Sequence, residues 1–147
     1  MFSLRPACAA LLISTALVLC SSIPARAQLE EGPVPGKEAL NPGPRYSEAI
    51  VANGFIFLSG STGTPNTTIE DQTSEILSGF NETLTSLGSS LDAAVQSHVF
   101  LANLSDFAGM NSAYVQFFTS NPPARTTVGT GVLGGELIEI DMVALAY

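Results

Sequence analysis

The runs PARTTV (residues 123–128) and LIEID (residues 137–141) each set a charge among strand-forming apolar residues. Arg125 stands in the first run and Glu139 lies inside the second. Because an unpaired buried charge is costly, such a residue normally has a partner or a chemical task. A guanidinium grips a carboxylate with two parallel hydrogen bonds, and a glutamate can move protons. Together they suit a small anionic substrate.

The charge balance makes every cation informative. The chain has 5 Lys and Arg against 13 Asp and Glu, which gives a formal net charge of −8. Arg5 and Arg26 lie in a segment that we expect to be removed, so Lys37, Arg45 and Arg125 would remain. Phosphate binding needs clustered Lys and Arg, and the composition therefore argues against a nucleic-acid surface.

Residues 1–27 are typical of a secretory signal peptide. A positive charge near the start precedes an apolar run at 7–19 and a small-x-small triplet at 25–27. We therefore expect cleavage before Gln28, a secreted or periplasmic protein, and no membrane span after cleavage. The lack of acids leaves a mitochondrial transit peptide as an alternative, and LVLC at residues 17–20 leaves a lipoprotein signal.

Both cysteines, Cys8 and Cys20, lie in this segment. The mature chain would then have no disulfide and no thiol nucleophile, so a packed core must stabilise it. His98 is the single histidine, which is a poor basis for a metal site or a serine triad, and we predict neither metal nor cofactor. Three N-x-[ST] sequons, which would be glycan acceptors in a eukaryotic secretory route or chance matches, begin at Asn66, Asn81 and Asn103.

The rest of the chain predicts a flexible leader at residues 28–44, rich in Pro, Gly and Glu, and one domain at 45–147. Hydrophobic patterns predict strands at 46–51, 55–59, 94–101, 126–132 and 137–146, with turns at Asn53-Gly54 and Gly134-Gly135. They predict one helix from a Thr68 cap to Gly88, and another from about Ser105 to the Asn121-Pro122-Pro123 stop, with Phe107, Met110, Tyr114 and Phe117 on its buried face.

This order, ββαβαββ, predicts an α+β domain in which two helices pack on one face of a sheet. Several strands carry apolar residues at both phases of the alternation. The second face would then be sticky, and we expect further subunits to cover it.

Several strings, in order and over residues 43–146, resemble the RidA (YjgF) family of small imine deaminases. GPRYSEA at 43–49 is similar to the family's opening GPYSQA with Arg45 added. The other strings are FLSG at 57–60, NSAY at 111–114, PAR at 123–125 and IEID at 138–141. The resemblance implies a chorismate-mutase-like fold and a homotrimer whose three sheets form a barrel, with active sites in the clefts between subunits.

The resemblance also implies an activity, the hydrolysis of reactive 2-imino acids to 2-keto acids and ammonia. Arg125 would bind the substrate carboxylate, Glu139 would activate a water, and Tyr46 from a neighbouring subunit would shape the cleft. The residues that would complete the binding pocket are Ser59, Gly60, Thr127 and, on the second helix, Asn111.

Other interpretations stay open at this point. Arg125 could form a structural ion pair with Glu139 or Asp141, and those two acids, which share a strand face, could form an acidic seam between subunits. Tyr46 could be a buried edge aromatic. The trimer could bind small carboxylates or client proteins without catalysis, or act as a ribonuclease, which the acidic charge argues against.

Overall fold

The computed structural model describes residues 36–118 and 120–147. The predicted signal peptide, both cysteines and the leader up to residue 35 lie outside the described residues. The main elements are β1 (Lys37–Pro42), β2 (Ser47–Ala52), β3 (Phe55–Thr62), α1 (Ile69–Ser86), β4 (Ala94–Leu101), α2 (Phe107–Tyr114), β5 (Ala124–Gly129) and β6 (Ile138–Leu145). Short 3₁₀ turns occupy Leu91–Ala93, Leu104–Asp106 and Leu133–Gly135.

The strands form one mixed sheet in the order β1-β2-β3-β6-β4-β5. Only β4 and β5 pair in parallel, and every other neighbouring pair is antiparallel. Alternate residues of β6 are buried on the face that the helices cover: Ile138, Ile140, Met142 and Ala144. The predicted α+β fold, with two helices packed against the sheet, is confirmed.

Helix α1 begins at the cap that the sequence predicts. The Thr68 hydroxyl oxygen accepts a hydrogen bond from the Asp71 backbone N–H at 3.1 Å, and the hydroxyl donates to the Asp71 carboxylate at 2.8 Å. Such a cap is worth about 1 kcal/mol. The apolar stripe of the helix, which includes Ile76 and Leu84, is buried against the sheet. Gly88 follows the helix end at a φ of 77°, as a C-terminal glycine requires.

The predicted flexible leader is wrong from Lys37 to Pro42, because these residues form the edge strand β1. Leu40 lies opposite Ala49 and Pro42 opposite Ser47 in the antiparallel pairing with β2. An edge strand can be mostly exposed and can contain proline, since one of its sides makes no ladder. The backbone pairing that orders this strand leaves no trace in its composition.

Two predictions about the second half of the domain also need correction. Helix α2 ends at Tyr114, well before the predicted proline stop, and hydrogen bonds from Gln116 N–H to Ala113 and from Phe117 N–H to Tyr114 tighten the chain into a turn. Phe107, placed on the buried face by the sequence, is 45% exposed.

The Gly134-Gly135 turn is present, with φ of 84° and 86°, but the strands on either side of it are not neighbours. Strand β4 lies between β5 and β6, so the chain must cross over it. Glycine suits both positions because other residues rarely adopt a positive φ.

The sheet face opposite the helices is apolar and uncovered in a single protomer. The strand registers place Phe55, Phe57, Val128 and Leu145 on this face, and their exposed fractions lie between 38% and 45%. This is the open face that the two-phase apolar pattern predicts. Within the described segments, no helix is both long and apolar enough to cross a bilayer.

A candidate active site in two halves

Arg125 lies near the start of the edge strand β5, on the helix-covered side of the sheet. It is opposite Ser97 of β4, whose side chain is fully buried beneath α2. Thr127, two residues further along β5, faces the same side. Asn111 projects from α2 toward the arginine, and its Oδ1 accepts a hydrogen bond from Arg125 Nη2 at 2.7 Å. We call Arg125, Asn111 and Thr127 the arginine half of the site.

Further contacts hold the guanidinium in place. The carbon at its centre lies 4.6 Å from the centroid of the Tyr114 ring, a cation–π contact. Arg125 Nη1 points to Met110 Sδ at 3.8 Å. These contacts leave the positive charge of Arg125 without a carboxylate partner among the described residues, where the one ion pair joins His98 to Asp141.

Tyr114 links the arginine to the core. Its hydroxyl shares a hydrogen bond of 2.8 Å with the buried Ser97 hydroxyl, and its ring stacks on Phe118 with the centroids 4.8 Å apart. Burial raises the pKa of the Tyr114 phenol, while the Ser97 bond and the nearby Arg125 charge act in the opposite direction. The phenol therefore stays neutral at physiological pH and presents its ring face to the guanidinium.

Glu139 lies on β6, on the open face of the sheet, beside a bulge in β3. The register between β3 and β6 shifts between Leu58 and Ser61, so one extra residue is accommodated at Ser59-Gly60. Bulges often redirect side chains at functional sites. The Ser59 hydroxyl donates to the Ser47 carbonyl at 2.7 Å and fixes the bulge to β2. A Cβ on Gly60 would collide with the Glu139 carboxylate, so the glycine makes room for it.

A cleft of 650 Å³ opens at this bulge, between the β1–β2 hairpin turn and helix α1. Its walls include three of the residues predicted for the site: Tyr46, Ser59 and Gly60. Tyr46 is 71% exposed in the single protomer, so the interpretation of this residue as a buried aromatic is wrong. We call Tyr46, Ser59, Gly60 and Glu139 the glutamate half of the site.

Glu48, which the sequence analysis did not single out, also lines this cleft. Its Oε2 accepts from the Asn41 amide at 2.6 Å and its Oε1 from the Thr83 hydroxyl at 2.8 Å. Hydrogen bonds from Asn41, and secondarily from Thr83, lower the pKa of the Glu48 carboxyl. Glu48 therefore acts as an ionised tie between β1, β2 and α1 that holds the hairpin turn against the helix.

The two halves do not meet within one protomer. Strand β4 separates β5 from β6, which puts the two backbones roughly 10 Å apart. Arg125 shares a register row with Ser97, whereas Glu139 pairs with Phe100 three rows along β4. Arg125 also faces the helices, whereas Glu139 faces the open side. The structural ion pair between Arg125 and Glu139 is therefore excluded in a single copy.

The second ion pair considered from the sequence, between Arg125 and Asp141, is also wrong in the protomer. Asp141 Oδ1 lies 2.7 Å from His98 Nδ1 across the β4–β6 ladder. Gln96 Nε2 lies 2.9 Å from the other ring nitrogen of His98. The pair lies on the open face, where Glu139 and Asp141 both project. The residues that the structure places hold no cluster of three His, Cys, Asp or Glu side chains suited to a metal ion.

Sequence analysis missed Tyr114 as part of the site because it treated α2 aromatics as core. Tyr114 is indeed buried, but the pairing of β5 with β4 also brings Arg125 under its ring. Tyr114 follows Asn111 by three residues and therefore lies on the same helix face. This spacing is the signal from which its place in the site could have been predicted.

Comparisons with known proteins agree with this architecture. The family model described as Endoribonuclease L-PSP matches residues 36–146. A crystal structure of a YjgF-family protein from Neisseria meningitidis superposes with a TM-score of 0.72 at 29% identity, covering 76% of this chain and 95% of the other. The chain therefore belongs to the YjgF (RidA) family, also described as Endoribonuclease L-PSP.

Two curated relatives are more similar to this chain in sequence than the Neisseria protein is. It is similar to mitochondrial protein mmf1 of Schizosaccharomyces pombe, with 36% identity over 122 residues, 77% of this chain and 75% of the relative. It is also similar to the chloroplastic Reactive Intermediate Deaminase A of Arabidopsis thaliana, with 37% identity over 114 residues, 72% of this chain and 59% of the relative.

Proposed function

We propose that this chain assembles as a homotrimer and hydrolyses small reactive 2-imino acids to 2-keto acids and ammonia. Each active site would form where the arginine half of one protomer meets the glutamate half of the next. The observation that carries the proposal is that Arg125 has no carboxylate partner among the described residues and cannot reach Glu139 within its own protomer. The apolar open face and the 71% exposed Tyr46 support the same contact between copies.

The chemistry needs two groups on opposite sides of the substrate. Arg125 would bind the substrate carboxylate bidentately and orient the imine carbon. Glu139 would take a proton from water as the water oxygen bonds to that carbon. Glu139 would pass that proton to the imine nitrogen, which gives a carbinolamine. It would then move the carbinolamine hydroxyl proton to the nitrogen in the same way, so that the C=O bond forms, the C–N bond breaks, ammonia leaves and the carboxylate is regenerated. Gly60 lines the cleft and, having no Cβ, leaves room for the Glu139 carboxylate beside it.

The direct test is a coupled assay with freshly generated 2-iminobutanoate. A pyridoxal-phosphate dehydratase produces the imine from threonine, semicarbazide traps what remains, and the loss of trapped product reports hydrolysis. We expect the protein to reduce trapping in proportion to its concentration, and light scattering to give three times the protomer mass. If an intact trimer leaves as much semicarbazide-trapped imine as a buffer control does, the enzymatic proposal is contradicted.

Further measurements on the same protein distinguish two other functions. A trimer that binds 2-oxobutanoate in calorimetry but leaves trapping unchanged would be a binding protein for small carboxylates. The matching family is described as an endoribonuclease, so highly purified protein should also be incubated with RNA. The net charge of −8 leads us to expect no cleavage above that of a heat-inactivated sample.

For the compartment, the names of the mitochondrial proteins mmf1 and mmf2 of Schizosaccharomyces pombe favour the mitochondrial alternative for residues 1–27 over secretion. We infer import into mitochondria. A fluorescent reporter fused to residues 1–27 should enter that organelle in the native host, whereas a reporter recovered from the medium would restore the secretory prediction.

A further inference from the structure

The hairpin between β1 and β2 carries a second cation into the cleft. The Gly43 N–H donates to the Tyr46 carbonyl at 2.8 Å and closes a turn with Pro44 and Arg45 at its centre. Arg45 and Tyr46 both line the cleft of 650 Å³. The turn is anchored by Glu48 through Asn41 and α1, so the fold sets the backbone position of Arg45, whose side chain is exposed.

Arg45 has no counterion within residues 36–118 and 120–147. The ion pair that the described residues form joins His98 to Asp141, so Arg45 lies more than 4.0 Å from every described carboxylate. Glu48, the acid in the same cleft wall, has both oxygens occupied by Asn41 and Thr83. In a chain with 13 acids and 5 Lys and Arg, a cation left unpaired beside a cleft is available to bind an anion from outside.

The cleft would therefore present two guanidinium groups to one ligand, Arg125 from one protomer and Arg45 from the next. The first is assigned to the carboxylate that every 2-imino acid has. We propose that Arg45 binds a second carboxylate on the substrate side chain, so that the protein prefers 2-imino dicarboxylates. This inference rests on the function proposed above and adds the substrate class.

A matched pair of substrates isolates the effect. An amino-acid oxidase, with catalase and oxygen, converts glutamate to 2-iminoglutarate and norvaline to 2-iminopentanoate. Both have the same carbon chain and differ in the terminal group alone, a carboxylate against a methyl. Since a charge-assisted hydrogen bond is lost with the methyl, we expect kcat/KM for 2-iminoglutarate to be higher by about tenfold to a hundredfold.

Arg45→Gln should remove this preference and leave kcat/KM for 2-iminopentanoate unchanged. Lys37→Gln is the charge-matched control, because Lys37 lies on β1 outside the residues that line the cleft. It should leave the ratio of the two substrates at its wild-type value. A wild-type protein without the preference, an Arg45→Gln variant that keeps it, or an equal loss in both variants would overturn the proposal.

Binding separates this inference from the proposed function. Calorimetry with 2-oxoglutarate and 2-oxopentanoate repeats the comparison without turnover. If the wild type hydrolyses neither imine but binds 2-oxoglutarate more tightly, and only while Arg45 is present, the deaminase proposal fails and the role of Arg45 stands. If both imines are hydrolysed at equal rates and both keto acids bind equally, the role of Arg45 is wrong and the deaminase proposal stands.

Discussion

The two halves of the site differ in how much of their geometry exists before a ligand arrives. In the arginine half, Arg125 already contacts Asn111, Met110 and Tyr114, which lie on one helix. In the glutamate half, Tyr46 is 71% exposed and the cleft beside the β3 bulge is open. The first half is held rigid by the fold of one chain, whereas the second needs a neighbour to enclose it.

This difference indicates a division of labour. A guanidinium that is positioned in advance loses little conformational freedom when it binds a carboxylate, which favours binding. Water beside Glu139 can exchange with bulk solvent until the neighbouring protomer closes the cleft. We expect the arginine half to determine binding and the glutamate half to determine turnover, and variants should separate these two effects.

The largest effect should come from Glu139→Gln. The amide keeps the shape of the side chain but cannot take a proton, so kcat should fall by about a hundredfold to ten-thousandfold. Calorimetry should show that 2-keto acids still bind with nearly wild-type affinity. A variant that hydrolyses imine at the wild-type rate would show that Glu139 is not the base.

Arg125→Lys should reduce affinity instead. Lysine keeps the charge but loses the planar fork and the contact with the Tyr114 ring, so we expect kcat/KM to fall by roughly a hundredfold. The keto-acid dissociation constant should rise in parallel, in contrast with Glu139→Gln. Unchanged binding by an intact trimer would mean that the substrate carboxylate is held elsewhere.

Gly60→Ala should lower kcat by about tenfold to a hundredfold without unfolding the protein, because the added methyl would displace the mobile end of Glu139. Gly79→Ala is the matched control. Gly79 lines the same cleft within α1, a Cβ there meets nothing within 4 Å, and alanine favours the helix by up to about 1 kcal/mol. Equal activity in the two alanine variants would show that Glu139 takes no part in the reaction.

The smallest effect should come from Tyr114, the support behind the arginine half. Tyr114→Phe leaves the buried Ser97 hydroxyl without its partner, so the free energy of unfolding should fall by about 1–3 kcal/mol. Adding Ser97→Ala should recover part of this loss, because no unpaired hydroxyl then remains. Chemical denaturation of the wild type and the two variants measures the difference, and equal losses for the single and double variants would contradict the shared hydrogen bond.

The same residue sets a pH dependence. Burial raises the pKa of the Tyr114 phenol, so the unfolded chain releases this proton at lower pH than the folded chain does. Its contribution to the free energy of unfolding is therefore complete below the ordinary phenol pKa of about 10 and declines as the pH rises above it. Tyr114→Phe should show a weaker decline over that range, measured by denaturation in alkaline buffers.

Local signals predicted much of this fold because they act within a few residues. The Thr68 cap, the Asn53-Gly54 turn with φ of 51° and 80°, and the bounds of β4 all follow from side-chain chemistry at those positions. Strand β1 was missed because backbone pairing, not apolar content, orders it. The crossover of the chain past β4 was missed for a related reason, since sequence order does not reveal which strands become neighbours.

The site was predicted as a set of residues but not as an arrangement. Nothing in the strings around Arg125 and Glu139 indicates that they face opposite sides of one sheet, because that depends on the registers of β5 and β6 with β4. Glu48 was missed because its role comes from partners on β1 and α1 that are distant in sequence.

Mixed trimers test the shared site most directly. Arg125→Gln and Glu139→Gln proteins, each inactive alone, are unfolded together, refolded and assayed for imine hydrolysis. If each cleft combines Arg125 of one protomer with Glu139 of the next, every mixed trimer regains one intact cleft, and a random equal mixture should recover about a quarter of the wild-type rate. A mixture no more active than the two parent proteins would show that both residues serve the same protomer, and the shared site would be wrong.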